Sequence, residues 1–258
     1  MRKQMSAALV AGFLLLAPAA RGGLVDGLDI EFGTEIGEFH YRESHFMRED
    51  GPQYGGYLAV GLRPAPWYFQ FYVSYVGGDI TYDGGYGWGW WYRDLKGDTS
   101  NFIVNLRGLS GCLVVDNDLQ VLLYSGLGYR YLENDLNDVA IPGVVSGYLR
   151  EQTYFYLPIG GEISFPISVD GGWTLGLRGE FDWMFYGYNY SDGIKLDNQK
   201  GWGFRLTPFL RWDLDENIAF KLELFGEYWK IDDSDGNEGF MEPENASNYY
   251  GGRLGVIF

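Results

Sequence analysis

The sequence predicts an all-β chain that folds into a single closed antiparallel transmembrane β-barrel of about ten strands. Three observations predict this fold. Hydrophobic residues make up 46% of the 258 residues and aromatic residues 18%, yet the net charge is -16. Apolar and polar residues alternate with a period of two over many segments. The chain also contains 39 glycines, several of them between those segments. A barrel wall that faces lipid on one side combines these features.

Residues 1–19 have the pattern of a cleaved signal peptide. Arg2 and Lys3 form a basic start, residues 5–16 form an apolar stretch, and Ala17-Pro18-Ala19 fits an A-x-A cleavage site. The apolar stretch is too short to anchor the chain in a membrane. We therefore expect residues 20–258 to be exported and to form one barrel domain.

The early strands are recognised by runs of alternating side chains and by turn residues. Leu28 and Ile30 share one face of the first strand, and Asp29 and Glu31 share the other. Pro64-Ala65-Pro66 ends the second strand, because proline cannot donate to a strand ladder. The predicted strands one to five cover residues 28–42, 54–63, 67–83, 98–115 and 119–133.

The later strands alternate most clearly. Strand seven has charged residues on one face, Arg178, Glu180 and Asp182, and apolar residues on the other: Trp173, Leu175, Leu177, Phe181, Trp183 and Phe185. The predicted strands six to ten cover residues 148–167, 173–190, 201–214, 218–231 and 249–258. In lipid every backbone polar group needs a partner, so ten strands must close on themselves.

The connections differ in length at the two ends of the predicted barrel. Short turns are expected at residues 64–66, 116–118, 170–172 and 215–217. Long connections are expected after strands one, three, five, seven and nine, including residues 43–53, 84–97, 134–147 and 232–246. This asymmetry predicts long extracellular loops, short periplasmic turns and both chain ends in the periplasm.

Fourteen charged residues at mid-strand positions are assigned to the inner face. Seven are acidic and seven are basic: Glu31, Glu35, Glu162, Glu180, Asp182, Glu223 and Glu227 against Arg107, Arg130, Arg178, Arg205, Arg211, Lys221 and Arg253. Isolated buried charges cost several kcal/mol each, and pairing reduces that cost. A ten-stranded barrel encloses little space beyond its side chains. We expect a lumen packed with paired charges, with a narrow channel as the alternative.

The last ten residues alternate apolar and polar side chains and end on the aromatic residue Phe258. This segment resembles the closing strand and assembly signal of bacterial outer-membrane β-barrels. The resemblance implies contact with the barrel-assembly machinery through this strand. It also implies outer-membrane lipid and lipopolysaccharide as surroundings, and therefore a bacterial outer-membrane location.

Several segments are similar in order and spacing to the omptin family of outer-membrane proteases. They are residues 126–131 (Gly-Leu-Gly-Tyr-Arg-Tyr), 147–152 (Gly-Tyr-Leu-Arg-Glu-Gln), 157–160 (Leu-Pro-Ile-Gly), and the closing Glu244-Asn245 followed by residues 249–258. The resemblance covers the scaffold. It implies a ten-stranded barrel with tall extracellular loops.

The catalytic part of the omptin pattern is not matched. The resemblance places an aspartate pair at the outer end of the third strand, where this chain has Asp79 and Asp83, four residues apart instead of two. It places Asp-x-His near the outer end of the seventh strand, where residues 189–192 (Asn-Tyr-Ser-Asp) contain no histidine. The only histidines, His40 and His45, lie in the first strand and loop. We therefore name no catalytic residue.

Two loops are candidate binding surfaces. One is crowded with aromatic residues: Tyr86, Trp88, Trp90, Trp91 and Tyr92. It fits either an aromatic belt against lipopolysaccharide or a stacking surface for a glycan or hydrophobic ligand. The last loop concentrates acidic residues, but its spacing does not match a calcium-binding EF-hand. We expect solvated carboxylates there and predict no metal and no cofactor.

The sequence thus predicts a non-enzymatic surface structural or binding protein. The acidic balance argues against nucleic acid as a partner, and a single cysteine, Cys112, excludes an internal disulfide. An extracellular ligand is a possible partner. The alternatives are an omptin-type protease with a rearranged or lost active site, and a narrow small-solute channel.

Overall fold

The computed structural model of the protein describes residues 27–44, 46–86, 93–115, 119–139, 147–168, 172–191, 193–236 and 241–258. The predicted signal peptide, residues 1–19, lies outside these residues. The described chain is almost entirely β-strand, with one short 3-10 helix at Leu136–Val139. The strands are β1 Leu28–Glu43, β2 Met47–Leu62, β3 Trp67–Tyr86, β4 Arg93–Val115, β5 Gln120–Asp135, β6 Leu149–Pro166, β7 Trp173–Ser191, β8 Ile194–Asn198, β9 Gly201–Asp213, β10 Ala219–Ile231 and β11 Asn245–Ile257.

Ten of these strands form a closed antiparallel ring, as predicted. Each strand pairs with the next along the chain, except that β7 pairs with β9 in the ring, and β1 pairs with β11 to close it. β8 is an additional short strand that pairs with β7 alone. The prediction of a single closed antiparallel barrel is confirmed.

The period of two decides which side chains face the interior. Along β10, Lys221, Glu223 and Phe225 are buried while Leu222 and Leu224 are exposed. The same alternation runs around the ring and produces an outward-facing apolar belt. Stacked rings mark one border of the belt at Trp173 and Trp212, whose centroids lie 5.5 Å apart. Among the described residues, no helix is long and apolar enough to cross a membrane.

The two ends of the barrel differ. The end at which β2 joins β3, and β9 joins β10, is called here the turn end. The opposite end, at which β1 joins β2 and β10 joins β11, is called the loop end. Above the belt at the loop end, the outward-facing residues are polar, including His40, Arg42, Arg48 and Asp50.

The predicted loop at residues 43–53 is wrong. β2 begins at Met47 and pairs with β1 as far as Glu43. In this stretch Glu49 and Gln53 point into the barrel, while Arg48 and Asp50 point outward. Because both faces are polar, the segment has no apolar alternation to reveal a strand. β8 was also not predicted, since its five residues are too few for a periodic pattern.

Candidate functional site

The centre of the interior holds a network of paired charges around Arg205. Its guanidinium lies 2.9 Å from Asp182, 3.4 Å from Glu180 and 3.1 Å from Glu227. Arg107 reaches Glu180 at 2.8 Å. A further arginine, Arg130, pairs with Glu227. Each of these carboxylates therefore has at least one cationic partner.

A second group connects the strands on either side of the ring closure. Arg253 on β11 lies 2.6 Å from Glu35 on β1 and 3.5 Å from Glu223 on β10. Lys221 lies 2.7 Å from Glu223 and 3.2 Å from Glu31. These contacts join β1, β10 and β11 from the inside.

The turn end holds two further pairs. Arg178 lies 2.6 Å from Glu162, and Arg211 lies 2.7 Å from Asp213. All fourteen charged residues assigned to the interior from the sequence make an ion pair. Nine of them line a cavity of about 20 Å³, which has room for about one water molecule.

Apolar residues seal the interior above this network. The buried cluster includes Phe39, Val76, Ile103, Leu132, Leu136, Phe225 and Tyr249. Phe225 and Tyr249 are in contact, with ring centroids 4.9 Å apart. Side chains from β1, β3, β4, β5, β10 and β11 thus meet in one apolar cluster across the lumen.

A cluster of three carboxylates around one arginine lies above the apolar seal. Arg150 on β6 pairs with Glu43 and lies 3.1 Å from Glu49. The third carboxylate, Glu242, comes from the segment that joins β10 to β11 and accepts a hydrogen bond from Gln152 at 2.8 Å. This cluster lies inside the loop end of the barrel and joins β1, β2 and β6 to the segment before β11.

Glu242 differs from the other two carboxylates in its partners. Its side chain accepts hydrogen bonds from the neutral groups of Gln152 and Tyr41, the latter at 3.5 Å. Among the described residues, no cationic nitrogen lies within ion-pair distance of it. Burial, together with the nearby charge of Glu43, raises the pKa of Glu242 to about 7 despite the opposing effect of Arg150.

The positions that the omptin pattern would use do not converge on the lumen. Asp79 and Asp83 alternate with buried Ile80 and therefore face outward from β3. Asp83 pairs there with Arg48 at 2.8 Å and Lys96 at 3.0 Å.

On the seventh strand, Asn189 points inward and is buried. His45 and Asp192 lie outside the described residues.

His40 lies on the outer wall. Its Nδ1 atom is 2.5 Å from Asp50, and its Nε2 atom is 3.0 Å from the hydroxyl of Tyr250. This is the side of the wall opposite to the lumen. The histidine therefore cannot serve as a base for Asn189 or for any other group inside the barrel.

The two candidate binding loops are only partly described. Tyr86 is the last residue of β3. Trp88, Trp90, Trp91 and Tyr92 lie outside the described residues, as does Glu238 of the acidic loop. In the parts of the chain that are described, no cluster of three His, Cys, Asp or Glu side chains is arranged to hold a metal ion.

Sequence reasoning did not identify the cluster at the loop end. A signal was present, because Arg150, Gln152, Tyr154 and Tyr156 occupy alternate positions and all point inward. The convergence of Glu43, Glu49 and Glu242 could not be predicted, since these residues come from three separate segments.

Comparisons with known proteins support the scaffold. No family model and no curated protein matches the sequence. The outer membrane protease OmpT from Escherichia coli is similar in structure with a TM-score of 0.65 over 91% of this chain and 97% of that chain, at 8% identity. The transport unit of the autotransporter AIDA-I from Escherichia coli gives a TM-score of 0.47 over 96% of each chain, also at 8% identity.

At these identities the likeness concerns the fold alone. The scaffold resemblance predicted from the strand segments is confirmed, and the chain has the omptin-like, ten-stranded fold of an outer-membrane β-barrel.

Proposed function

We propose that the protein is an integral bacterial outer-membrane barrel whose interior is structural. It acts through its extracellular loop end as a non-enzymatic structural or binding protein of the cell surface. The observation that carries this proposal is the filled lumen. All fourteen predicted interior charges are paired, and an apolar cluster closes the space above them.

The apolar belt fits the lipid of an outer membrane. Lipopolysaccharide would surround the polar residues above it. The strand β11, with Phe258 after it, would be the part that the barrel-assembly machinery engages. In this orientation the turn end faces the periplasm. Residues 1–19 would direct export and be removed.

A channel is less well supported by the interior. Ions crossing the lumen would have to pass between Arg205 and its three carboxylates, and then through the contact between Phe225 and Tyr249. Both would have to separate, which would leave buried charges without partners.

An omptin-type protease is also less well supported. Such an enzyme needs carboxylates and a base within hydrogen-bond reach of one water or substrate. Asp79, Asp83 and His40 all face the outer wall instead.

The aromatic loop is the proposed ligand-binding surface. Indole and phenol rings offer flat apolar faces, which suit the faces of sugar rings or a hydrophobic ligand. Residues 86–92 would contribute Tyr86, Trp88, Trp90, Trp91 and Tyr92. The connection between β3 and β4 belongs to the loop end, so we propose that these rings lie above the membrane.

Two measurements on the refolded mature chain test the structural part. In planar bilayers we expect no stepwise conductance, and against a peptide library no cleavage. Regular single-channel steps would contradict a closed interior. Cleavage that survives removal of contaminating proteases would contradict the non-enzymatic assignment.

A glycan array probed with the refolded protein tests the binding part. The triple variant Trp88→Ala, Trp90→Ala, Trp91→Ala should lose binding. The control variant Met241→Ala, which removes an exposed apolar side chain elsewhere at the loop end, should retain it. Equal binding by both variants would assign the tryptophans to the membrane interface.

A further inference from the structure

The segment between β10 and β11 reaches the interior of the barrel through Glu242. Its side chain accepts hydrogen bonds from Gln152 and Tyr41. Its backbone is held by Ser234 in two ways. The Glu242 amide donates to the Ser234 hydroxyl at 2.7 Å, and the Ser234 amide donates to the Glu242 carbonyl at 3.0 Å. Ser234 is itself buried. The docking of Glu242 therefore positions both sides of this connection.

The surroundings of Glu242 carry an excess of negative charge. Glu43 and Glu49 both bind the guanidinium of Arg150. If all three carboxylates are ionised, one positive charge faces three negative charges. The donors Gln152 and Tyr41 carry no charge, so their hydrogen bonds do not offset this excess of negative charge.

Charged and titratable groups face Glu242 from β1 and β6. The titratable and charged groups that face it are Tyr41 and Glu43 on β1, and Tyr148, Arg150 and Tyr154 on or next to β6. Glu49 on β2 binds the same arginine at 3.1 Å. Outside the cluster, Glu244 of the same segment pairs with Lys230 on β10 at 3.3 Å. Arg150 is therefore the one cation that acts on Glu242 within the described cluster.

We propose that Glu242 is a pH-dependent latch. Protonated, it stays docked between Tyr41 and Gln152 and holds the connection between β10 and β11 against the barrel. Ionised, it is repelled by the charge of Glu43 and leaves the cluster for water.

Release would affect more than one residue. Ser234 would lose its buried contacts with Glu242. The neighbouring Asp235 amide donates to the Asp197 carbonyl of β8 at 2.9 Å, so the β7–β8 hairpin would lose support as well. The latch is a property of the loop end and holds whether or not a ligand binds there.

The pKa of Glu242, raised to about 7, determines the direction of the pH effect and the pH range in which docking changes. The docked state is favoured below this pH. Above it, each pH unit shifts the docking equilibrium towards release by up to about tenfold.

Hydrogen–deuterium exchange of the refolded full-length mature protein in detergent tests the latch. Exchange is compared at about pH 6 and about pH 8.5 after correction for the intrinsic effect of pH. Between these values we expect the amides of Ser234 and Glu242 to exchange roughly tenfold to thirtyfold faster at the higher pH. The strands of the barrel should remain protected at both.

Three variants sharpen the test. Glu242→Gln cannot ionise, so its amides should exchange slowly at both pH values. Glu43→Gln frees Arg150 for an ionised Glu242, so the pH response should shrink. The control Glu244→Gln, which alters an exposed carboxylate outside the cluster, should respond as the wild type does.

Two results would overturn the latch. One is wild-type exchange at Ser234 and Glu242 that does not change with pH. The other is fast exchange of Glu242→Gln at both pH values with protected strands, which would show that the carboxylate is not what docks the segment. Strand protection distinguishes either result from a variant that fails to fold.

Discussion

Arg253 lies directly opposite Glu35 across the pairing of β11 with β1, and its Nε atom donates to the Oε2 atom of Glu35 at 2.6 Å. Both side chains are buried. The contact therefore joins the last strand to the first inside the wall, at the place where the ring closes.

Removal of Arg253 should destabilise the barrel strongly. Arg253→Met leaves Glu35 buried without its cation, and such a loss costs about 3–5 kcal/mol. The double variant Arg253→Met, Glu35→Leu should recover most of the loss, because Glu223 keeps its contact with Lys221. Urea unfolding in lipid vesicles, followed by tryptophan fluorescence, measures both. The control is Arg42→Met on the outer wall, and an equal loss there would contradict the prediction.

A methyl group at Gly128 should also destabilise the barrel. A Cβ atom there would overlap the ring of Tyr156, which is fully buried. Overpacking of this kind costs about 1–3 kcal/mol, and Gly128→Ala should lose that much in the same unfolding assay. Gly108→Ala is the matched control, since no heavy atom lies within 4 Å of its added Cβ atom. If the two variants unfold alike, steric overlap at Gly128 is not important.

The position of the apolar belt can be tested by introducing one arginine at either of two positions along the barrel axis. Leu224→Arg places a cation in the middle of the belt, where the cost is about 2–4 kcal/mol. Asn248→Arg places the same cation near the loop end of the belt, where it should cost less than about 1 kcal/mol. Equal costs in vesicles would show that the lipid boundary is elsewhere.

The stability of the protein should depend on pH through Glu242. Its pKa in the folded protein, about 7, is above its ordinary value of 4.5. The stability linked to this proton is fully present below about pH 4.5 and is lost as pH rises through 7. The loss is at most on the order of 3 kcal/mol.

Unfolding midpoints at about pH 5 and about pH 8 measure this effect. Glu242→Gln should remove part of the difference, and Glu244→Gln should leave it unchanged. A larger difference in Glu242→Gln than in the wild type would contradict the assignment.

Much of the fold could be predicted from the sequence, because lipid on one side and a packed interior on the other force a strict alternation. Strand seven shows this, since Trp183 and Asp182 could only face opposite sides. The same alternation was the basis for assigning fourteen charged residues to the interior. It failed between Met47 and Gln53, where water bathes the outer face and polar side chains suit both sides.

The arrangement at the loop end could not be predicted for a different reason. Glu43 and Glu49 come from neighbouring strands, but Arg150 and Glu242 are about 100 and 190 residues further along the chain, and the barrel register brings all four together. Local patterns do not contain that register.

The backbone pairing of Ile30 with Phe258, in which each amide donates to the other's carbonyl at 3.0 and 2.9 Å, has a consequence for the order of folding. Contacts between distant parts of a chain form slowly, and a sheet with two open edges is costly in lipid. Insertion one strand at a time would leave such edges exposed until β11 arrived. The barrel should therefore enter the membrane late, after β1 and β11 have both been delivered and can meet.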